Sequence, residues 1–94
     1  MAAPLLHNTN KKLSRGTFYP LGVNLLEDGA NFALFSQDAK EVFLLLFDKP
    51  DGDPTDVIRI ENRTRYIWHV HIQGITEGQL YGYKVRGEFN PDWG

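Results

Sequence analysis

Two histidines set two positions apart, His69 and His71, are the residues whose type and spacing first suggest chemistry. In an extended segment, alternate residues share a face, so the two imidazoles would stand side by side as metal ligands. Zinc binding needs a third ligand. His7 is far away in the N-terminal segment and no carboxylate stands at a useful spacing, so no metal site is expected and the pair reads as a solvated strand face. Ser14 and Ser36 sit in no nucleophile elbow and have no evident base to activate them. Carboxylates gather in Asp48 to Asp56, DKPDGDPTD, but its two prolines and one glycine are turn chemistry, and the spacing is not that of a helix-loop-helix calcium site. Carboxylate pairs lying in turns enclose no water-excluding pocket of the kind acid–base hydrolysis needs. With no cysteine in the chain, thiol chemistry and disulfides are excluded. The chain on its own is expected to be no enzyme and to require no cofactor.

The elements that must carry these residues are strands. Tyr66 to Gly87, YIWHVHIQGITEGQLYGYKVRG, alternates apolar and polar residues at both ends around Gly74 and Gly78, which predicts two strands and a corner. Tyr66, Trp68, Val70 and Ile72 form one face and Ile67, His69 and His71 the other. Across the corner, Tyr81, Tyr83 and Val85 are expected inward, and Lys84 and Arg86 outward. A tyrosine following a glycine corner commonly bonds its phenol to nearby backbone in immunoglobulin-type sandwiches, and Tyr81 has that position. Upstream, Gly22 to Glu27 reads as a strand, and Asp28-Gly29 as a tight hairpin turn into Asn31 to Phe35. Glu41 to Asp48, EVFLLLFD, is apolar on both faces, with Val42, Leu44 and Leu46 opposed to Phe43, Leu45 and Phe47. Such a strand predicts a second covering surface beyond the core. Val57 to Glu61 is a further short strand and Asn62 to Arg65 a polar turn.

Strands recurring about every 10 residues, with turn signals between and no helical periodicity, indicate an antiparallel sandwich or barrel. Residues 1–16 lack periodicity and are read as a flexible lead-in, with order beginning near Thr17. Ninety-four residues make one domain. Ten basic and twelve acidic residues leave a net charge of −2, which offers no footprint for nucleic acid or an anionic membrane. The apolar start Pro4-Leu5-Leu6 is far shorter than a signal-peptide core or a spanning helix. A cytoplasmic location is expected, and the Asn62-Arg63-Thr64 glycosylation match then carries no weight.

Read in this order, the segments resemble a known family. Tyr19-Pro20-Leu21-Gly22, Gly29-Ala30-Asn31-Phe32-Ala33-Leu34-Phe35-Ser36, Val42-Phe43-Leu44-Leu45-Leu46-Phe47-Asp48, Trp68-His69-Val70 and Tyr81-Gly82-Tyr83-Lys84-Val85-Arg86-Gly87 are similar to the N-terminal domain of bacterial glycogen debranching enzymes of the isoamylase type, a domain of carbohydrate-binding module family 48. The resemblance implies an all-β fold, an immunoglobulin-like (early-set) antiparallel β-sandwich of about seven strands over residues 17–89. It implies that residues 90–94 begin a linker to a glycoside hydrolase family 13 (β/α) barrel that cleaves α-1,6 branch linkages of glycogen. The barrel would be the domain's partner and would cover Phe43, Leu45 and Phe47. Sugar-binding members of the same module family stack glucose units on two exposed aromatics and hold hydroxyls with a lysine. Lys84 matches that lysine and Phe89 the place of one aromatic, while the other aromatic's place reads Asp48-Lys49-Pro50-Asp51. The resemblance thus implies a domain that packs on the barrel and makes weak contact with α-glucan, glycogen or maltooligosaccharide. The competing reading is a free-standing immunoglobulin-like interaction module that presents His69, His71, Lys84 and Arg86 to a protein partner.

Overall fold

The computed structural model describes residues 7–87; Phe89 and the linker residues 90–94 lie outside them, as do residues 1–6. The described chain forms nine strands, β1 (His7–Asn8), β2 (Leu13–Ser14), β3 (Gly22–Leu26), β4 (Gly29–Phe35), β5 (Ala39–Phe47), β6 (Pro54–Arg59), β7 (Asn62–Thr64), β8 (Ile67–Gln73) and β9 (Leu80–Gly87). They build two antiparallel sheets. One has the order β1-β6-β5-β9 and is called sheet A; the other, sheet B, has the order β2-β8-β4-β3 with β7 beside β8. Seven strands have three or more residues, the number the family resemblance implies, although Asn62–Thr64, read as a polar turn, pairs with β8 as a strand and β6 begins at Pro54 inside the expected loop. An all-β sandwich is therefore the observed fold class.

The core lies between the sheets and is built by the expected alternation. Val42, Leu44 and Leu46 of β5 and Ile58 of β6 face Ala30 and Phe32 of β4 and Trp68, Val70 and Ile72 of β8, all within one buried cluster. In β8 the register sets Trp68 opposite Leu34, Val70 opposite Phe32 and Ile72 opposite Ala30. Directly paired residues share a face, so the apolar set of each strand meets that of its neighbour. Trp68 is in the core, and its indole N–H donates to the carbonyl oxygen of Ser36 at 3.4 Å.

Four local expectations change. The β3–β4 hairpin turns on Glu27-Asp28, because Leu26 pairs with Gly29, and none of these residues has a positive φ. Gly29 is required for a different reason: a Cβ there would overlap the Ile72 carbonyl oxygen of β8. Tyr66 is not the first core residue of a strand. It occupies the tip of the β7–β8 hairpin, where Thr64 pairs with Ile67, and stays 44% exposed. Order does not begin at Thr17 either, since Asn8 pairs with Val57 of β6, and Leu13 and Ser14 pair with Ile72 and His71 of β8. Finally, Phe43 needs no barrel to cover it. It lies between Arg59 and Lys84 on the outer side of sheet A and is only 5% exposed in the sandwich itself.

Candidate functional site

The outer face of sheet B carries the two histidines, and here the solvated reading fails. His69 is buried. Its Nδ1 lies 2.8 Å from the carbonyl oxygen of Arg15 and its Nε2 lies 2.8 Å from Thr64 Oγ1. A carbonyl can only accept, so Nδ1 donates to Arg15, and with Nε2 against the threonine hydroxyl both ring nitrogens are engaged. Beside it, Asn31 forms a reciprocal pair with the backbone of Thr17: Thr17 N–H donates to Oδ1 at 2.8 Å, and Nδ2 donates to the Thr17 carbonyl at 3.0 Å. Residues 15–17 therefore cross the sheet as a strap. Gly16 lies at its centre with φ of 72°, where a Cβ would run into Asn31 and the backbone of β8. His71 points to Asp28, 3.2 Å away. These histidines hold the strap and a turn. No signal in the sequence separates them from a metal pair, because the partners are 54 and 5 positions away from His69.

The outer face of sheet A carries Lys84. It is exposed, opposite Phe43 in the register, while Glu41 on the next row bridges Arg59 at 3.3 Å and Arg86 at 3.2 Å. Along the same face lie half-buried Leu45, opposite Gly82, and half-buried Phe47, whose ring is 3.7 Å from where a Gly82 Cβ would stand. The missing side chain at Gly82 leaves a shallow apolar strip with an amine at one end. Period-two counting sets 82 and 84 on one side of β9, but only the pairing of β5 with β9 brings Leu45 and Phe47 beside them. Lys84 and Arg86 are on this sheet and the histidines on the outer side of the other, so the four residues of the interaction-module reading do not form one surface. Phe89, the proposed stacking aromatic, lies outside the described residues.

At the inner edge of β9 the tyrosines pack through their rings. Tyr81 meets Phe32 edge-on at 5.4 Å and Tyr83 at 5.9 Å. Among the described residues neither hydroxyl bonds to backbone, contrary to the tyrosine-corner expectation, and Tyr81 remains 45% exposed. Burial, with a smaller effect from Tyr81, pushes the Tyr83 phenol up to about 12. At the β5–β6 and β8–β9 turns on the other side, an open cleft of about 480 Å³ is lined by Lys11, Asp48, Thr55, Asp56, Glu77 and Gln79, among others. Its Asp56 carboxylate already accepts from Thr9 and Thr55.

A two-sheet antiparallel sandwich with an apolar strip and a lysine on one open face defines an immunoglobulin-like module. Residues 20–93 match the family described as carbohydrate-binding module 48, the isoamylase N-terminal domain, and the chain belongs to that family. It is 42% identical over 76 residues to the "Glycogen operon protein GlgX homolog" of Mycobacterium bovis, 81% of this chain and 10% of that protein. It is also 42% identical to the "Glycogen debranching enzyme" of Yersinia enterocolitica, covering 87% of this chain and 12% of the relative. "Isoamylase 3, chloroplastic" of Oryza sativa matches at 42%, covering 88% of this chain and 12% of the relative. The chain thus spans about a tenth of the length of these relatives. Among solved structures, a pullulanase of Paenibacillus barengoltzii complexed with maltohexaose and α-cyclodextrin has the same fold with a TM-score of 0.70 at 21% identity, over 81% of this chain and 12% of that one.

Proposed function

We propose that this sandwich is the non-catalytic N-terminal domain of a glycogen debranching enzyme that hydrolyses α-1,6-glucosidic branch linkages. It packs on the catalytic (β/α) barrel of the same polypeptide and makes weak contact with α-glucan. The observation that carries the reading is the family match over residues 20–93, together with relatives named as debranching enzymes and isoamylases. Among the described residues no three metal-ligating side chains converge, and the one polar cleft described above is open to solvent. In this reading the chemistry belongs to the part of the relatives that this chain does not span.

For the glucan, the outer face of sheet A is the supported place. A pyranose lays its apolar face on hydrophobic surface while its hydroxyls reach polar groups. Leu45, Phe47 and Gly82 supply such a surface, and the exposed Lys84 amine supplies three donors beside it. Among the described residues of this face no full aromatic face is presented, so affinity in the millimolar range, about −4 kcal/mol, is expected. Titration of the isotopically labelled chain with maltoheptaose should shift the amides around Lys84, and Lys84→Ala should abolish the shift. An unchanged spectrum at millimolar ligand would leave the domain with the packing role alone. The packing role has its own check in the gene: a reading frame for a catalytic domain after residue 94 is expected, and a stop codon there overturns it.

A further inference from the structure

The two ends of the sandwich are built differently. Gly22, Phe35, Ile67 and Gly87 lie at one end, since Gly22 pairs with Ala33, Phe35 with Ile67, and Gly87 with Ala39 just after the 36–38 connection. A Cβ on Gly87 would stand 3.1 Å from the Asp38 carbonyl oxygen, so the chain leaves the sandwich toward residue 88 at this same end. Four of the ten exposed large apolar residues stand at that end: Leu21 next to Gly22, Phe35, Tyr66 at the adjoining hairpin tip, and Val85 two residues before Gly87, between 44% and 55% exposed. Two of them, Phe35 and Tyr66, are aromatic.

Both rings are held in place. Phe35 and Tyr66 meet edge-to-face at 6.1 Å, and the Arg63 guanidinium lies over both Tyr66 and Trp68, 5.9 and 5.1 Å from the ring centres. Arg63 Nε donates to the Arg65 carbonyl at 2.6 Å, and Ser36 N–H donates to the Tyr66 carbonyl at 2.8 Å. Arg65, at the tip of this two-residue hairpin, has φ of 56°, a left-handed conformation unfavourable for a non-glycine residue. Strain is thus spent to display a tyrosine in water. Rigid aromatic and arginine side chains are the usual anchors of interfaces, because little side-chain entropy is lost when they bind.

We propose that this exit end is the surface on which the following catalytic domain docks, with Phe35 and Tyr66 as anchors. The inference rests on the reading given under Proposed function and places its interdomain contact. The family is an N-terminal domain, and the relatives carry about nine-tenths of their length outside the matched region. That mass is tethered at Gly87, beside these rings, and a tether raises effective concentration far above that of a second copy or a free sugar. The outer face of sheet A is a poorer dock, because Phe43 is already covered and Lys84 would be desolvated without a partner among the described residues.

The test is hydroxyl-radical footprinting of the full polypeptide, sandwich and catalytic domain together. Tyr66 and Tyr81 are 44% and 45% exposed in the sandwich, so without docking they oxidise at equal rates. Docking at the exit end makes Tyr66 severalfold slower than Tyr81. Equal rates, or protection of Tyr81 instead, overturn the proposal. Protection that appears only with added maltoheptaose, or only as protein concentration rises, overturns it in favour of a glucan or a second copy. In Phe35→Asp/Tyr66→Asp, the protection of Leu21 from the same radicals should be lost; retained protection of Leu21 overturns the anchor assignment. Debranching activity of the same sample separates the two readings. An active enzyme with unprotected Tyr66 defeats the docking surface alone, and an inactive one with protected Tyr66 defeats the proposed activity alone.

Discussion

The two ends of this sandwich differ in how they satisfy themselves. At the turn-rich end, Gly74 N–H bonds to the Asp28 carbonyl at 2.8 Å, and Gln79 spans from its amide to the carbonyls of Phe47 and Leu80, both at 2.9 Å. Its loops are polar and acidic, and their backbone groups find partners locally. At the exit end, the exposed rings Phe35 and Tyr66 stand among polar side chains, and the hairpin tip beside them has a left-handed Arg65. The first is the chemistry of a finished surface. The second is the chemistry of half an interface.

The largest effect expected is at the turn-rich end. Gly29→Val places a side chain against the β8 backbone, where no flexible group can yield, and should cost at least about 4 kcal/mol, most of the stability of so small a domain. Chemical denaturation of the chain would read this as loss of the cooperative transition, and a transition retained near the native midpoint would show that β4 and β8 can separate cheaply. The next comparison is within the exit end itself. Trp68→Ala should cost about 3 to 5 kcal/mol because the ring is in the core. Tyr66→Ala, two residues away, should cost less than about 1 kcal/mol, the worth of exposed ring and cation contacts. Comparable losses in the two variants would mean that Tyr66 belongs to the fold and not to an interface.

A smaller effect has the opposite sign. Arg65→Asn relieves the left-handed backbone and keeps the carbonyl that Arg63 uses, so the melting temperature should rise, by up to about 1 kcal/mol of stability. The smallest concerns the edge strand that joins the two ends. Tyr83 in the folded chain titrates at about 12, above its ordinary value near 10. Folding then favours the protonated phenol, so stability is intact below pH 10 and declines as the pH rises from 10 toward 12. Tyr83→Phe should flatten that decline in alkaline denaturation curves; an unchanged slope would assign it to other groups.

Much of the fold was legible in the sequence because strand alternation is local. Val42, Leu44, Leu46, Trp68, Val70 and Ile72 face the core as their period-two spacing indicates. The hairpin after β3 was legible too, but not its register, since Gly29 answers to β8 across the sheet and not to its own turn. The candidate site was less legible. His69 read as a solvated strand-face residue because its two partners, Arg15 in the strap and Thr64 in a three-residue strand, stand in segments with no strong pattern. Lys84 was placed correctly on an outward face, yet the strip beside it needed the pairing of β5 with β9.

By itself, then, the sequence determined the fold class, the core side of each long strand and the family, because each depends on side-chain order along one segment. Only the tertiary structure decided that the histidines and Lys84 lie on opposite faces, that residues 15–17 strap sheet B, and that exposed rings collect where the chain leaves the sandwich. Those are relations between strands far apart in the chain, set by which sheet each joins and in which register, and no local period encodes them.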